Sequence, residues 1–368
     1  MQEIRQSFAL EELHIDYDID RLGDRERLLF IDIETTGLSR ETTYLYLIGC
    51  GYFTGASYET IQWFSEEVKE ERYILDDFLR FSEGFDTLVH YNGGKFDIPY
   101  LKHKAGLHRL PFPIEQFASI DLYRRLKPYG KLLGLSSLKQ RSVEEFLGVL
   151  SDDPNTGRDL IHVWFDYVRS PSEELLKSLL YHNSEDLLGM VRILPILRFC
   201  SLSGEGIHYV NYTQNEYKAL DGSVKTELLF TGTHDFSLPC GFKSYNDGIF
   251  LALEKDGALA IRVPVLEGEL KHFYENYRDY YYLPLEDICI HKNAAAGVEK
   301  SHRERAKREN CYSRHSGLFF KTAGPAPGFT LFQEDLKSRQ YYFPLSELSA
   351  KKEAPDSYCQ ALFNNLIL

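Results

Sequence analysis

The chain has 368 residues, 43% of them hydrophobic and 26% charged, which excludes a mainly disordered protein and leaves room for two domains. Its net charge of −13 argues against tight nonspecific binding of duplex nucleic acid. The same charge does not exclude an enzyme that holds phosphates through metal ions, because such a site must itself be acidic.

The N-terminal segment MQEIRQSFALEELHIDYDID mixes charged and apolar residues every few positions. It lacks the apolar stretch of a secretory signal, and no later run reaches the roughly 18 apolar residues of a membrane span, so a cytoplasmic protein without a membrane partner is expected. Arg27–Ile33, Tyr44–Phe53 and Tyr58–Phe64 read as three strands, the last two parted by Gly55-Ala-Ser. Glu70–Phe81 has helical spacing through Ile74, Phe78 and Leu79. Thr87–His90 is a fourth strand, and Ile98–Ala105 a helix that opens with Pro99 and stops at Gly106. Ser119–Leu122 is a candidate fifth strand. Ser142-Val-Glu-Glu145 and Ser170-Pro-Ser-Glu173 carry the capping-box pattern and start the last helices.

This order gives a mixed central sheet flanked by helices over residues 1–200. Residues 201–368 change in texture, with short Tyr-, Phe- and Val-containing runs broken by Gly, Asp and Asn. A second, β-rich α+β domain is expected there, with helix around Val298–Asn310 and a boundary near Ser201–Gly206. Lys300–Arg308 holds five Lys or Arg in nine residues, a phosphate-contacting helix or a solvated face. His272–Tyr282 is rich enough in tyrosine to stack bases or to pack a small sheet. Six cysteines without a C-x-x-C pair point to reduced thiols, not to zinc or disulfides.

The chemistry-bearing residues are acidic. In Asp32-Ile-Glu-Thr-Thr-Gly37 both carboxylates project from one face of a strand end, where Mg²⁺ or Mn²⁺ suits hard oxygen ligands and a solvated strand edge is the plainer alternative. In His90-Tyr-Asn-Gly-Gly-Lys-Phe-Asp97 the last Asp follows a glycine turn, either as a site carboxylate or as a helix N-cap. In Leu179-Leu-Tyr-His-Asn-Ser-Glu-Asp186, His182 and Asp186 share a helix face beside an apolar stripe, as a catalytic pair or as an ordinary helix contact.

In order and spacing these three segments resemble the DEDD 3′–5′ exonucleases of the ribonuclease H-like superfamily, over roughly residues 25–200. Tyr91-Asn-Gly-Gly-Lys-Phe-Asp-Ile-Pro-Tyr-Leu101 is similar, more narrowly, to bacterial exonucleases with a ribonuclease H-like domain, and Gly157–Tyr167 points the same way. The resemblance implies a ribonuclease H-like fold and a metal-dependent exonuclease acting on single-stranded 3′ ends of DNA or RNA. It makes Asp32, Glu34, Asp97 and Asp186 the ligands of two Mg²⁺ or Mn²⁺ ions, and counts as substrate-binding Thr36 and Leu38, at the terminal nucleotide, and Asn92, in the turn that orders the second motif. It also implies a catalytic general base, Tyr four residues before the last Asp or His five before it. This chain has the two exchanged, with His182 four before and Tyr181 five before; His182 has the pKa suited to the role. A phosphatase of the haloacid dehalogenase type needs a second Asp where Glu34 stands. An endonuclease cutting RNA–DNA hybrids and a retired nuclease serving as a binding scaffold are the remaining alternatives.

Overall fold

The computed structural model describes residues 1–154, 157–218, 221–350 and 353–367. The chain divides into two units: Met1–Gly130 with Leu135–Cys200, and Lys131–Gly134 with Ser201–Leu368.

The first unit is built on strands β1 (Gln2–Ala9), β2 (Leu28–Thr35), β3 (Leu45–Thr54), β4 (Ser57–Phe64), β5 (Thr87–His90) and β6 (Ala118–Asp121). They lie in the order β1-β4-β3-β2-β5-β6, antiparallel as far as β2 and parallel from β2 through β5 to β6. Its longer helices are α1 (Glu71–Ser82), α2 (Asp97–His108), α3 (Gln140–Leu147), α4 (Gly157–Arg169) and α5 (Glu173–Arg192). A strand sends alternate side chains to opposite faces. Leu29, Ile31 and Ile33 of β2 therefore enter one core with Trp63, Ile74, Phe78 and Leu101. On the other face Tyr46, Leu47 and Phe64 pack with Leu160 and Trp164 of α4 and Leu179 of α5. Phe30, Asp32 and Glu34 share the face that α5 covers.

Several expectations are corrected. Residues 2–9 form the edge strand β1, to which the sequence reading gives no element. Helix α2 runs past Gly106 to His108, since one exposed glycine costs only about 1 kcal/mol, and Arg109 closes it in the left-handed region at φ 59°. The two capping boxes do not form as read. Helix α3 starts before Ser142, whose hydroxyl pairs with Ser137, and α5 is capped by Ser172, which accepts the Leu175 N–H.

The second unit has β7 (Ile207–Lys218), β8 (Val224–His234), β9 (Phe242–Asn246), β10 (Ile249–Leu253), β11 (Ala258–Phe273), β12 (Tyr280–Leu283), β13 (Ile288–His291), β14 (Glu304–Arg305), β15 (Tyr312–Thr322) and β16 (Tyr341–Pro344). Seven strands form one antiparallel sheet, and β13-β12-β14 form a small second one. The helix expected over 298–310 is absent. Lys300–His302 is a 3₁₀ turn, and Glu304–Arg305 pairs with Tyr281 and Tyr282 at the edge of the small sheet. The segment has no apolar stripe to bury as a helix, and its Arg303 guanidinium instead lies 4.7 Å from the Tyr281 ring centre. Helix enters later, as α6 (Leu345–Ala350) and α7 (Ala354–Ile367), whose Tyr358 packs on Phe230 and Phe320. Cys50, Cys200, Cys289, Cys311 and Cys359 are free thiols.

Candidate active site

Because β2, β5 and β6 run parallel, their C-terminal ends open at one edge of the sheet. Asp32 and Glu34 sit near the end of β2, Asp121 ends β6, and Asp97 follows β5 through the Asn92-Gly93-Gly94 turn. A bulge after Glu34 ends the regular register with β3.

Helix α5 brings the remaining groups. Opposite Asp32 stands Gly49, where any Cβ would collide with the Asn183 amide, so glycine lets the helix lie directly on the strand. Gln62 donates to Asn183 Oδ1 at 2.8 Å, and Asn183 Nδ2 in turn donates to Asp32 Oδ2 at 2.7 Å. One residue earlier on α5 is His182, and one helical turn later Asp186. His182 Nε2 lies 3.7 Å from Glu34 Oε1 and 3.6 Å from Asp186 Oδ2. Ligand atoms of Glu34, His182 and Asp186 all fall within 4.8 Å of one another. On its other side the His182 ring is hydrogen-bonded through Nδ1 to the buried carboxylate of Asp153.

Asp97 is the first residue of α2 and is buried; Phe96, not Asp97, holds the cap position. A Cβ on Gly93 would strike the Asp97 carboxylate, so the turn folds tightly beneath it. Asn92, at φ 60°, donates its backbone N–H to Asp121 Oδ1. Thr36 Oγ1 accepts the Tyr44 N–H at 2.9 Å, and Leu38 is 87% exposed. Tyr181 is partly exposed and lines a groove with Ile4, Phe8 and Leu188.

The sequence reading missed Asp153, Asn183 and Asp121. Asp153 lies in a loop with no periodicity to read. Asn183 stands inside a segment already singled out, and Asp121 at the end of a strand whose parallel partners hold the other acids. That last position is the signal that could have found it.

Residues 29–197 match the RNase H superfamily model. They form an RNase H-like domain. An uncharacterized protein of Bacillus subtilis, YprB, is 27% identical over 173 residues, which is 46% of this chain and 41% of that protein. The structure of the family B DNA polymerase from Pyrobaculum calidifontis aligns with 94% of this chain and 46% of its own, at 12% identity and a TM-score of 0.39. The chain thus spans less than half the length of either. RNase H-like proteins are generally nucleases that use divalent metals.

The electrostatics of the RNase H-like domain fit such ions. Burial raises the Asp32 carboxyl well above its ordinary range, helped by the charges of Asp186, Glu34 and Asp97. Burial also pushes Glu34 up to about 8, with His182 opposing and Asp186 adding to the shift. Asp97 is pushed up to about 7 by burial and by Asp121 and Asp186. Asp186 is raised by limited hydration, against the pull of His182. Asp121 Oδ2, beside Asp97, is buried without a hydrogen-bond partner. The carboxyls of Asp32, Glu34, Asp97 and Asp186 cannot all carry charge near neutral pH unless a cation joins them. A hard, oxygen-rich donor set of this kind suits divalent ions.

Proposed function

We propose that the RNase H-like domain is a metal-dependent 3′–5′ exonuclease of the DEDD type, hydrolysing phosphodiester bonds at single-stranded 3′ ends of DNA or RNA. The observation that carries the reading is the meeting of Asp32, Glu34, Asp97 and Asp186 at one sheet edge with carboxyls raised by burial and mutual repulsion. A phosphodiester is itself an anion, and bare carboxylates would repel it.

In this reading the four carboxylates would hold two Mg²⁺ or Mn²⁺ ions, whose chemistry would be activation of the attacking water and charge stabilisation at the leaving 3′-oxygen. The chain's own work is positioning. Asn183, oriented by Gln62, holds Asp32 in one rotamer, while the Asn92-Gly93-Gly94 turn supports Asp97. His182 touches Glu34 and Asp186 and belongs to the reacting centre. Thr36 and Leu38 are assigned to the terminal nucleotide, and Asn92 to the turn that orders the Asp97 segment.

The test is purified protein with Mg²⁺ or Mn²⁺ on 3′- and 5′-labelled single-stranded DNA and RNA. Mononucleotides released stepwise from the 3′ end are expected. Internal cuts from the earliest times would turn the reading toward an endonuclease, and no cleavage with either ion toward a binding scaffold.

A further inference from the structure

We infer that His182 is itself a metal ligand, through Nε2, at a centre shared with Glu34 and Asp186, and that this centre takes Mn²⁺ in preference to Mg²⁺. The inference rests on the metal-dependent reading of the site, and departs from the role of free general base that the spacing of His182 suggests.

The distances carry it first. At 3.7 and 3.6 Å, the separations of His182 Nε2 from Glu34 Oε1 and Asp186 Oδ2 are too long for hydrogen bonds. Two ligands that each stand about 2.1 Å from a common ion are about 3.0–4.2 Å apart, according to the angle between them. His182 Nε2 meets that spacing to both carboxylates, and the three ligand atoms lie within 4.8 Å of one another. This is a coordination spacing.

The orientation of the ring carries it further. Asp153 takes the hydrogen bond at Nδ1, and only 5% of Asp153 is exposed. A carboxylate accepts only, so Nδ1 bears a proton and the ring is oriented with Nε2 toward Glu34 and Asp186, where an ion would take the place of any second proton. A metal-ligating histidine ordinarily gives its second N–H to a carboxylate or carbonyl, which fixes its tautomer and strengthens it as a ligand. The spacing that looked exchanged in the sequence has this effect: four residues before Asp186, His182 lies on the same helix face, one turn away.

The donor set then selects the ion. Mg²⁺ prefers oxygen alone, whereas Mn²⁺, and more strongly Co²⁺ or Zn²⁺, accept imidazole nitrogen beside carboxylate. Asp32 and Asp97 remain as oxygen ligands for a hard ion.

The experiment uses metal-free full-length protein and Mn²⁺ alone. Pulsed electron paramagnetic resonance should show ¹⁴N coupling from one imidazole in the wild type, and lose it in His182→Gln. Calorimetry should show Mn²⁺ affinity falling at least 10-fold in His182→Gln with Mg²⁺ affinity little changed. In Asp153→Ala it should show a 10–100-fold loss of Mn²⁺ affinity with the ¹⁴N coupling retained. Circular dichroism of both variants establishes that the fold is kept, and either variant alone decides if the other unfolds. Bound Mn²⁺ without ¹⁴N coupling, at an affinity indifferent to His182→Gln, overturns the inference and leaves the exonuclease reading standing. A wild type that binds Mg²⁺ but no Mn²⁺ overturns the inference alone, and one that binds neither ion overturns both. Coupling without nuclease activity upholds the centre and overturns the exonuclease reading.

Discussion

Asn183 on α5 donates its side-chain N–H to the Asp32 carboxylate on β2 at 2.7 Å, across 151 residues of sequence. The bond ties the helix that carries His182 and Asp186 to the strand that carries Asp32 and Glu34. Asn183 is fully buried, and Gln62 and Asp32 use both ends of its amide. Asn183→Ala should therefore destabilise the domain by about 1–3 kcal/mol, since it leaves buried polar groups unpaired. A urea midpoint unchanged from wild type would show that the bond does not hold the helix down.

The glycine under that amide makes a second prediction. Gly49→Ala puts a methyl group into the space of the Asn183 side chain, so α5 must lift from β3. Overpacking of this kind costs about 1–3 kcal/mol. Turnover should fall as well, because the same shift draws His182 and Asp186 away from Glu34. Loss of stability without loss of activity, read by thermal melting and nuclease assay, would mean that the helix lifts elsewhere.

Metal removal should abolish cleavage, and Asp32→Ala or Asp97→Ala should lower turnover by orders of magnitude while the fold remains. Undiminished cleavage in excess EDTA would end the two-metal reading. Tyr181→Phe should be close to wild type, because that ring is partly exposed and turned into the groove beside Ile4. An inactive Tyr181→Phe would return the catalytic role to the tyrosine.

The pH dependence of stability follows from the raised carboxyls. Glu34 titrates near 8 in the fold against an ordinary 4.5, and Asp97 near 7 against 3.8. Between those limits the folded state holds protons that the unfolded chain has released, so stability falls as pH rises. His182, raised by the charges of Asp186, Glu34 and Asp153 despite its burial, adds to the same slope. Metal-free protein should thus melt at lower temperature at pH 8 than at pH 6. Glu34→Gln should flatten the difference, and saturating Mn²⁺ should reverse it, because ions bind the deprotonated site. A melting temperature indifferent to pH between 6 and 8 would show that the site is not strained by its own charge.

Much of this domain was legible in the sequence because its signals are local. The apolar runs around Ile31, Ile48 and Leu88 have nowhere to go but a sheet interior, and the stripe through Leu179, Leu187 and Met190 makes α5 a packed helix. Asp32, Glu34, Asp97, His182 and Asp186 could be singled out because each sits at a fixed offset from such an element. The edge strand Gln2–Ala9 escaped because an edge strand is half solvated and its pattern is weak. The helix expected at 298–310 was wrong because charge content alone does not specify a buried face.

What the tertiary structure decided is which of these acids meet, and through what. Period and spacing set the face on which His182 and Asp186 stand, but not that Glu34 lies opposite them, since pairing across 148 residues depends on how α5 lies on the sheet. That placement follows from the missing side chain at Gly49 and the amide of Asn183. The partner of the His182 ring comes from a loop, where Asp153 has no neighbours in sequence to announce it. Local patterns depend on the preference of each segment for helix or strand, and the chain states these outright. A site assembled from five segments depends on close packing between them, which exists only once the chain has folded.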